Sequence, residues 1–157
     1  KTTAALGLAM RAVGAGKRVF IAQFVKGMRY SEVEIITNRF KEIKIKQYGL
    51  DCFIYSKPTD ADIAAARKGL EEVRNIISTS QYDMIILDEA CIALYYNLFS
   101  IDDLLNVFKS KTESMEIVVT GRYAPKELIG IADLVTEMKE IKHYYQRGVE
   151  ARKGIEF

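Results

Sequence analysis

The chain has 157 residues, is 49% hydrophobic and 28% charged, and carries a formal net charge of +2. That length and apolar share suit one globular domain with a full-sized core. The near balance of charge gives no reason to expect a nucleic-acid partner, while leaving room for a local basic anion site. No apolar run reaches the roughly 18 to 20 residues of a membrane span, and Cys52 and Cys91 form neither a disulfide framework nor a zinc motif, so a soluble, cytoplasmic protein is expected.

Taken in order, the chain opens on KTTAALGLAMRAVG, a lysine and two hydroxyls running into a helix-prone stretch. RVFIAQF (18–24) is β-branched and aromatic, as a buried strand would be, and EIKIKQY (42–48) alternates like a half-buried one. A long helical pattern, DADIAAARKGLEEVRNIIS, follows, with Asp60 near its first turn. DMIILDEA (83–90) is an apolar run ending in two carboxylates. SIDDLLNVFK reads as a helix starting near Ser100, EIVVTGR (116–122) as a strand, APKELIGIA as a helix starting near Pro125, and DLVTEM (133–138) as a weaker fifth strand. Apolar strands alternating with helices predict a mainly parallel sheet covered on both faces.

In such sheets ligands gather at the carboxyl ends of the strands, which singles out Gln23 to Gly27, Asp88 and Glu89, and Thr120 to Arg122. The opening fits there as well. A phosphate-binding loop ends in Gly-Lys-Ser/Thr and enters a helix. Its amides and lysine neutralise phosphate, and its hydroxyl meets Mg²⁺. Lys1, Thr2 and Thr3 match the end of that motif, although a Lys-Thr pair before a capped helix is commonplace. IILDEA supplies the complementary half, a strand that delivers Asp88 and Glu89 beside a metal. Two adjacent acids at the end of a buried strand are costly to dehydrate unless a cation or donors meet them. The expected fold is therefore a RecA-like P-loop NTPase domain over residues 1–157. It is expected to be N-terminally incomplete, its first strand and loop glycines preceding Lys1.

KTTAALGLAMRAVGAGKRVFIAQFVKG, LDEACIALYYNLFSIDDLL, VVTGRYAPKELIGIADLVTEMKEIKH and the terminal GVEARKGIEF together resemble the corrinoid (cob(I)alamin) adenosyltransferases of the CobA/BtuR type. The resemblance implies transfer of the 5′-deoxyadenosyl group of ATP to the cobalt of a reduced corrinoid, giving adenosylcobalamin and triphosphate. It implies Lys1, Thr2 and Thr3 on ATP, Thr2 and Glu89 on Mg²⁺ with Asp88 in support, and no general base, so that His143 need not be catalytic. It also implies a homodimer and, as electron donor, a reduced flavoprotein.

Other assignments stay open. Lys26 and Arg122 are ATP-binding candidates, yet Lys26 can equally be solvated and Arg122 can pair with Glu127. The family carries an aromatic pair on the lower face of the corrinoid. The corresponding stretch here is YGLDCFIYSKPTDAD, in a chain without tryptophan. Phe53 and Tyr55 are the candidates for that wedge, with Tyr48 a further one, against ordinary packing. The rival functions are a generic RecA-like ATPase and a nonenzymatic corrinoid or nucleotide carrier.

Overall fold

Side chains alternate across a strand, and here the alternation sorts the interior into two layers. In a computed structural model, which describes residues 1–28, 30–50, 54 and 57–156, four parallel strands lie in the order β2-β1-β3-β4. They are β1 (Val19–Phe24), β2 (Ile43–Tyr48), β3 (Met84–Asp88) and β4 (Glu116–Val119). Phe20, Ala22, Phe24, Ile85 and Leu87 face one side, and Val19, Ile21, Met84 and Ile86 the other. Every residue of β1 and β3 is buried, which explains their unbroken apolar runs, whereas β2 at the sheet edge keeps its polar alternation.

The second face is covered by α1 (Thr2–Gly14) and α2 (Ser31–Arg39). Ala5, Ala9 and Ala12 form the inward stripe of α1, and their small side chains let the helix axis approach the sheet closely. The first face is covered by α3 (Asp60–Thr79), α4 (Ala90–Tyr95) and α5 (Ile101–Phe108), with Leu128 of α6 (Lys126–Ile131) at its margin. Two of these helices begin in capping boxes, Thr59 with Asp62 on α3 and Ser100 with Asp103 on α5, each pair satisfying two otherwise unpaired amides. The cap of α3 is thus Thr59, one residue before Asp60. The expected parallel sheet with helices on both faces is present.

One expectation needs correction, and two helices stand where none was expected. Residues 133–138 form no strand: Leu134 is 86% and Val135 55% exposed, with no neighbouring strand to cover them. The runs 83–90 and 116–122 end their strands at Asp88 and Val119, which puts Glu89 and Thr120 to Arg122 just past the carboxyl ends as expected; there Glu89 turns left-handed at φ 59° and Gly121 lies at φ 142°. SEVEIITNR, read as no element, is α2: Val33, Ile36 and Phe40 recur at helical spacing and pack on the sheet, and Glu32 and Glu34 favour the helix N-terminus. The stretch after Glu89 is a further helix, α4, that the strand reading hid.

The loops after β1 and β2 cross at two glycines. A Cβ on Gly27 would stand 2.4 Å from the backbone carbonyl of Leu50, and one on Gly49 would stand 2.4 Å from the amide nitrogen of Lys26. Both neighbours are main chain, which cannot swing aside. Gly49→Ala is expected to cost about 1–3 kcal/mol as overpacking, measured as a lower urea midpoint at unchanged m-value.

Candidate functional site

After β1 the chain crosses over the α1/α2 face to reach β2, and after β3 it crosses over the α4/α5 face to reach β4. The connections part between β1 and β3, which leaves a crevice at their carboxyl ends. Register places Gln23 of β1 directly beside Asp88 of β3 at that point. Asp88 is 1% exposed, and a buried carboxylate demands donors or a cation.

It has both. The Thr2 hydroxyl, delivered by the N-terminus of α1, is 3.0 Å from Oδ1 and 3.1 Å from Oδ2. Thr120, just past β4, donates its hydroxyl to Oδ1 at 2.7 Å, and Gln23 Nε2 donates to Oδ2 at 3.3 Å. Lys26 Nζ completes the set, 2.9 Å from Asp88 Oδ2 and 2.9 Å from Thr2 Oγ1, with its side chain only 14% exposed. A carboxylate offers about four lone-pair positions, and these partners fill them. Gln47 Nε2 in turn donates to Gln23 Oε1 at 3.2 Å and to the Met28 carbonyl at 3.0 Å, so the glutamine that braces Asp88 is itself held.

Around this hub the backbone is turned outward. Thr120 Oγ1 accepts the Glu89 amide at 3.0 Å, which fixes Glu89 in its left-handed conformation at the start of α4. The side chain of Glu89 makes no hydrogen bond among the described residues. Its charge is felt by two neighbours. Burial pushes the Cys91 thiol up to about 11, with Glu89 adding to the shift. Burial also raises Tyr30, opposed by the Lys26 ammonium and reinforced by Glu32 and Glu89. Gly121 is required because a Cβ there would lie 2.5 Å from Cβ of Cys91, and its φ is 142°.

Of the residues anticipated from sequence, the structure brings Thr2, Lys26 and Asp88 into direct contact. The solvated reading of Lys26 is overturned by its burial in the ion pair. Glu89 lies next to the cluster. Lys1 and Thr3 are exposed at the mouth of α1, whose first amides have no side-chain cap. Arg122 is exposed at the same sheet edge and forms no ion pair with Glu127. It lines an open cavity of about 330 Å³ with Glu140, His143, Tyr145 and Gln146. Phe53 and Tyr55 lie outside the described residues. Tyr48 is core: 7% exposed, against Phe24 and Gly69, its phenol pushed up by burial and then by Glu72. Cys91 is buried at the start of α4. The strand-end rule places Gln23 and Thr120 at the ligand edge without giving either a partner, and Gln47 carries no expectation. A buried glutamine inside an otherwise apolar strand was the available signal for the first.

The donor set suits a hard divalent cation. Thr2 and Asp88 present oxygen, and an ammonium already stands at those oxygens; since no group of three or more His, Cys, Asp or Glu side chains able to hold a metal exists among the described residues, water and phosphate would have to complete the coordination. Mg²⁺ keeps several waters and takes one or two carboxylates plus phosphate, which these residues fit.

The whole chain, residues 1–157, matches the model of one family, ATP:corrinoid adenosyltransferase BtuR/CobO/CobP. The chain belongs to this family. It is similar to the corrinoid adenosyltransferase of Sinorhizobium sp, with 35% identity over all of this chain and 75% of that protein. The corrinoid adenosyltransferases of Pseudomonas aeruginosa (32%, over 78% of its length) and Escherichia coli K12 (29%, over 80%) also align with the full chain.

Two outcomes follow from this geometry. Asp88→Asn leaves the Lys26 ammonium without its carboxylate, and it is expected to lower unfolding free energy by about 3–5 kcal/mol, read in urea at neutral pH. The Cys91 thiol sits at about 11 in the fold against an ordinary 9.0, so the unfolded chain loses that proton first. Its contribution is whole below pH 9 and is lost as pH rises to about 11. Unfolding midpoints are expected to fall through that window, and less steeply in Cys91→Ala.

Proposed function

We propose that this adenosyltransferase moves the 5′-deoxyadenosyl group of ATP onto the cobalt of a reduced corrinoid through the crevice between β1 and β3. The observation that carries the reading is the Thr2–Asp88–Lys26 cluster at that crevice, in a chain that matches the family from end to end. Cobalt(I) of the substrate brings its own electron pair to C5′. The cobalt–carbon bond forms as the C5′–oxygen bond breaks, the pair departs with triphosphate, and cobalt ends formally as cobalt(III). No proton moves at the reacting centre, so no general base is required, and His143 can remain the cap that accepts the Tyr145 amide at 3.0 Å.

The difficulty lies in the leaving group, whose oxygens gain negative charge in the transition state. Preorganised donors and cations aimed at that charge lower the barrier. The uncapped amides of α1, Lys1 and Thr3 would bind the phosphates at the mouth of the helix, with Arg122 approaching from the end of β4. Thr2, Asp88 and Glu89 would hold Mg²⁺, which supplies charge neutralisation at the triphosphate when bound. Lys26 adds a further positive charge within the same cluster.

Finer parts of the proposal rest on family resemblance. Phe53 and Tyr55 would be the rings at the lower face of the corrinoid, the electron donor a reduced flavoprotein, and the assembly a homodimer built from one such P-loop domain per chain. No described helix is long and apolar enough to cross a membrane, and a cytoplasmic location belongs to the same proposal.

Given MgATP and chemically generated cob(I)alamin, the protein is expected to produce the adenosylcobalamin spectrum together with intact triphosphate. Orthophosphate without a corrinoid product would indicate an ATPase, and tight corrinoid binding without turnover a carrier. Glu89→Gln is expected to lower kcat about 10- to 100-fold; an unchanged rate would remove Glu89 from the cation's ligands.

A further inference from the structure

We propose that Lys26 is a resident counter-ion of the unliganded site: its ammonium occupies the divalent-cation position between Thr2 and Asp88 and passes to the triphosphate when a divalent cation takes that position. The proposal rests on the reading above that Thr2 and Asp88 face the cation, and it adds a role that strand-end placement does not supply.

The geometry is direct. Nζ stands 2.9 Å from Thr2 Oγ1 and 2.9 Å from Asp88 Oδ2. The Thr2 hydroxyl spends its hydrogen on Asp88 and accepts from Lys26. A metal bridging Thr2 Oγ1 and Asp88 Oδ2 would therefore compete with the ammonium, which already holds both oxygens. A Mg²⁺ ion bound at about 2.0–2.1 Å from these same oxygens would overlap Nζ and repel its charge. The two cations exclude each other.

The lysine is built to be there. Val25, the residue before it, is held at φ 60°, a conformation costly for a β-branched side chain, and Gly27 after it is locked against Leu50. The backbone on either side is thus fixed, and the stem of Lys26 alone has freedom to turn. Its other near neighbour is the ring of Tyr30, 5.3 Å from Nζ. A displaced ammonium finds no free carboxylate among the described residues of the hub, since Asp88 and Glu89 would both face the metal in the reading above. The anion that can receive it is the triphosphate arriving with that metal.

Divalent cation alone must therefore expel a well-paired lysine and binds weakly. Cation together with triphosphate exchanges one partner of the lysine for another and binds well. Coupling of this kind is reciprocal, each ligand raising the affinity for the other by the same factor. The lysine thereby makes the site respond to metal-bound triphosphate rather than to free metal.

The test uses Mn²⁺, read by its electron paramagnetic resonance signal, and inorganic tripolyphosphate, with no corrinoid present. Wild-type protein is expected to bind Mn²⁺ weakly alone and at least about tenfold more tightly with tripolyphosphate, within the usual span of coupling factors. In Lys26→Met, Mn²⁺ alone is expected to bind about tenfold more tightly, while tripolyphosphate affinity falls and the coupling shrinks. A lysine that only supports the fold would weaken both ligands together. Lys26→Gln, of similar length and still able to donate, serves if the methionine variant does not fold, with the same expectation. Equal Mn²⁺ affinity in wild type and variant without tripolyphosphate would overturn the proposal. Wild-type protein that binds no Mn²⁺ even with tripolyphosphate would overturn the cation site itself and the proposal with it. Adenosylcobalamin formation, measured separately on wild type, reports the transferase reading independently of either result.

Discussion

A carboxylate that is 1% exposed organises this molecule. Left alone at the end of a buried strand, the charge of Asp88 would be among the most expensive features a domain can hold. It is tolerated because four separate segments bring it partners: α1 through Thr2, β1 through Gln23, the loop after β1 through Lys26, and the end of β4 through Thr120. Each of those segments is also placed by apolar packing. The alanine stripe of α1 seats it on the sheet, and the parallel register aligns Gln23 with Asp88. Hydrophobic burial therefore positions the hub, and the hub pins the N-terminus of α1 to the centre of the sheet.

The same edge concentrates backbone strain. Beyond β1, β3 and β4 the chain passes through a non-glycine residue at positive φ, Val25 at 60°, Glu89 at 59° and Tyr123 at 61°. Such positions cost free energy and persist where the surroundings over-determine them. Here the surroundings can be named. Gly27 and Gly49 interlock the loops at β1 and β2, Thr120 holds the Glu89 amide, and Gly121 lies against Cys91. Tyr123, displayed by its turn, stacks on Tyr95 at 4.5 Å between ring centres, which leaves both rings largely exposed beside Arg122. The strained turns point side chains out of the sheet edge, where a ligand can meet them, and the rigid strands behind them keep that display in place.

Much of this was legible from sequence, for physical reasons that differ by element. β1 and β3 are buried on both faces, and only uninterrupted apolar runs satisfy that, so they could be read with their ends nearly right. Thr2 and Asp88 could be paired across 86 positions because the chemistry of phosphate and metal demands a hydroxyl and a carboxylate together. Short elements failed. DLVTEM has strand composition, yet composition does not supply a neighbouring strand, and Leu134 ends 86% exposed. SEVEIITNR is rich in β-branched residues, and the tertiary contacts of Val33, Ile36 and Phe40 with the sheet outweighed that local preference. Thr120 could be placed at the ligand edge but not given a partner, because a threonine after a strand has no distinguishing spacing; its bond to Asp88 exists only once β4 is laid beside β3.

The charge at the crevice also bears on which reaction the fold can support. Asp88 and Lys26 neutralise each other, so the inner hub carries little net charge. Lys1, Arg122 and the free amides of α1 remain outside that pair as positive features of the mouth. Such an arrangement does little for the deprotonation of a water molecule and much for the departure of a polyanion. On the proposed reading, catalysis would consist of holding C5′ in line with a nucleophile that needs no activation while charge collects on the triphosphate. Electrostatic preorganisation and positioning are sufficient for that task. On that reading a phosphate-binding edge would in this way serve alkyl transfer: its cations would attend the leaving group, and the reactivity would come from the cobalt of the substrate.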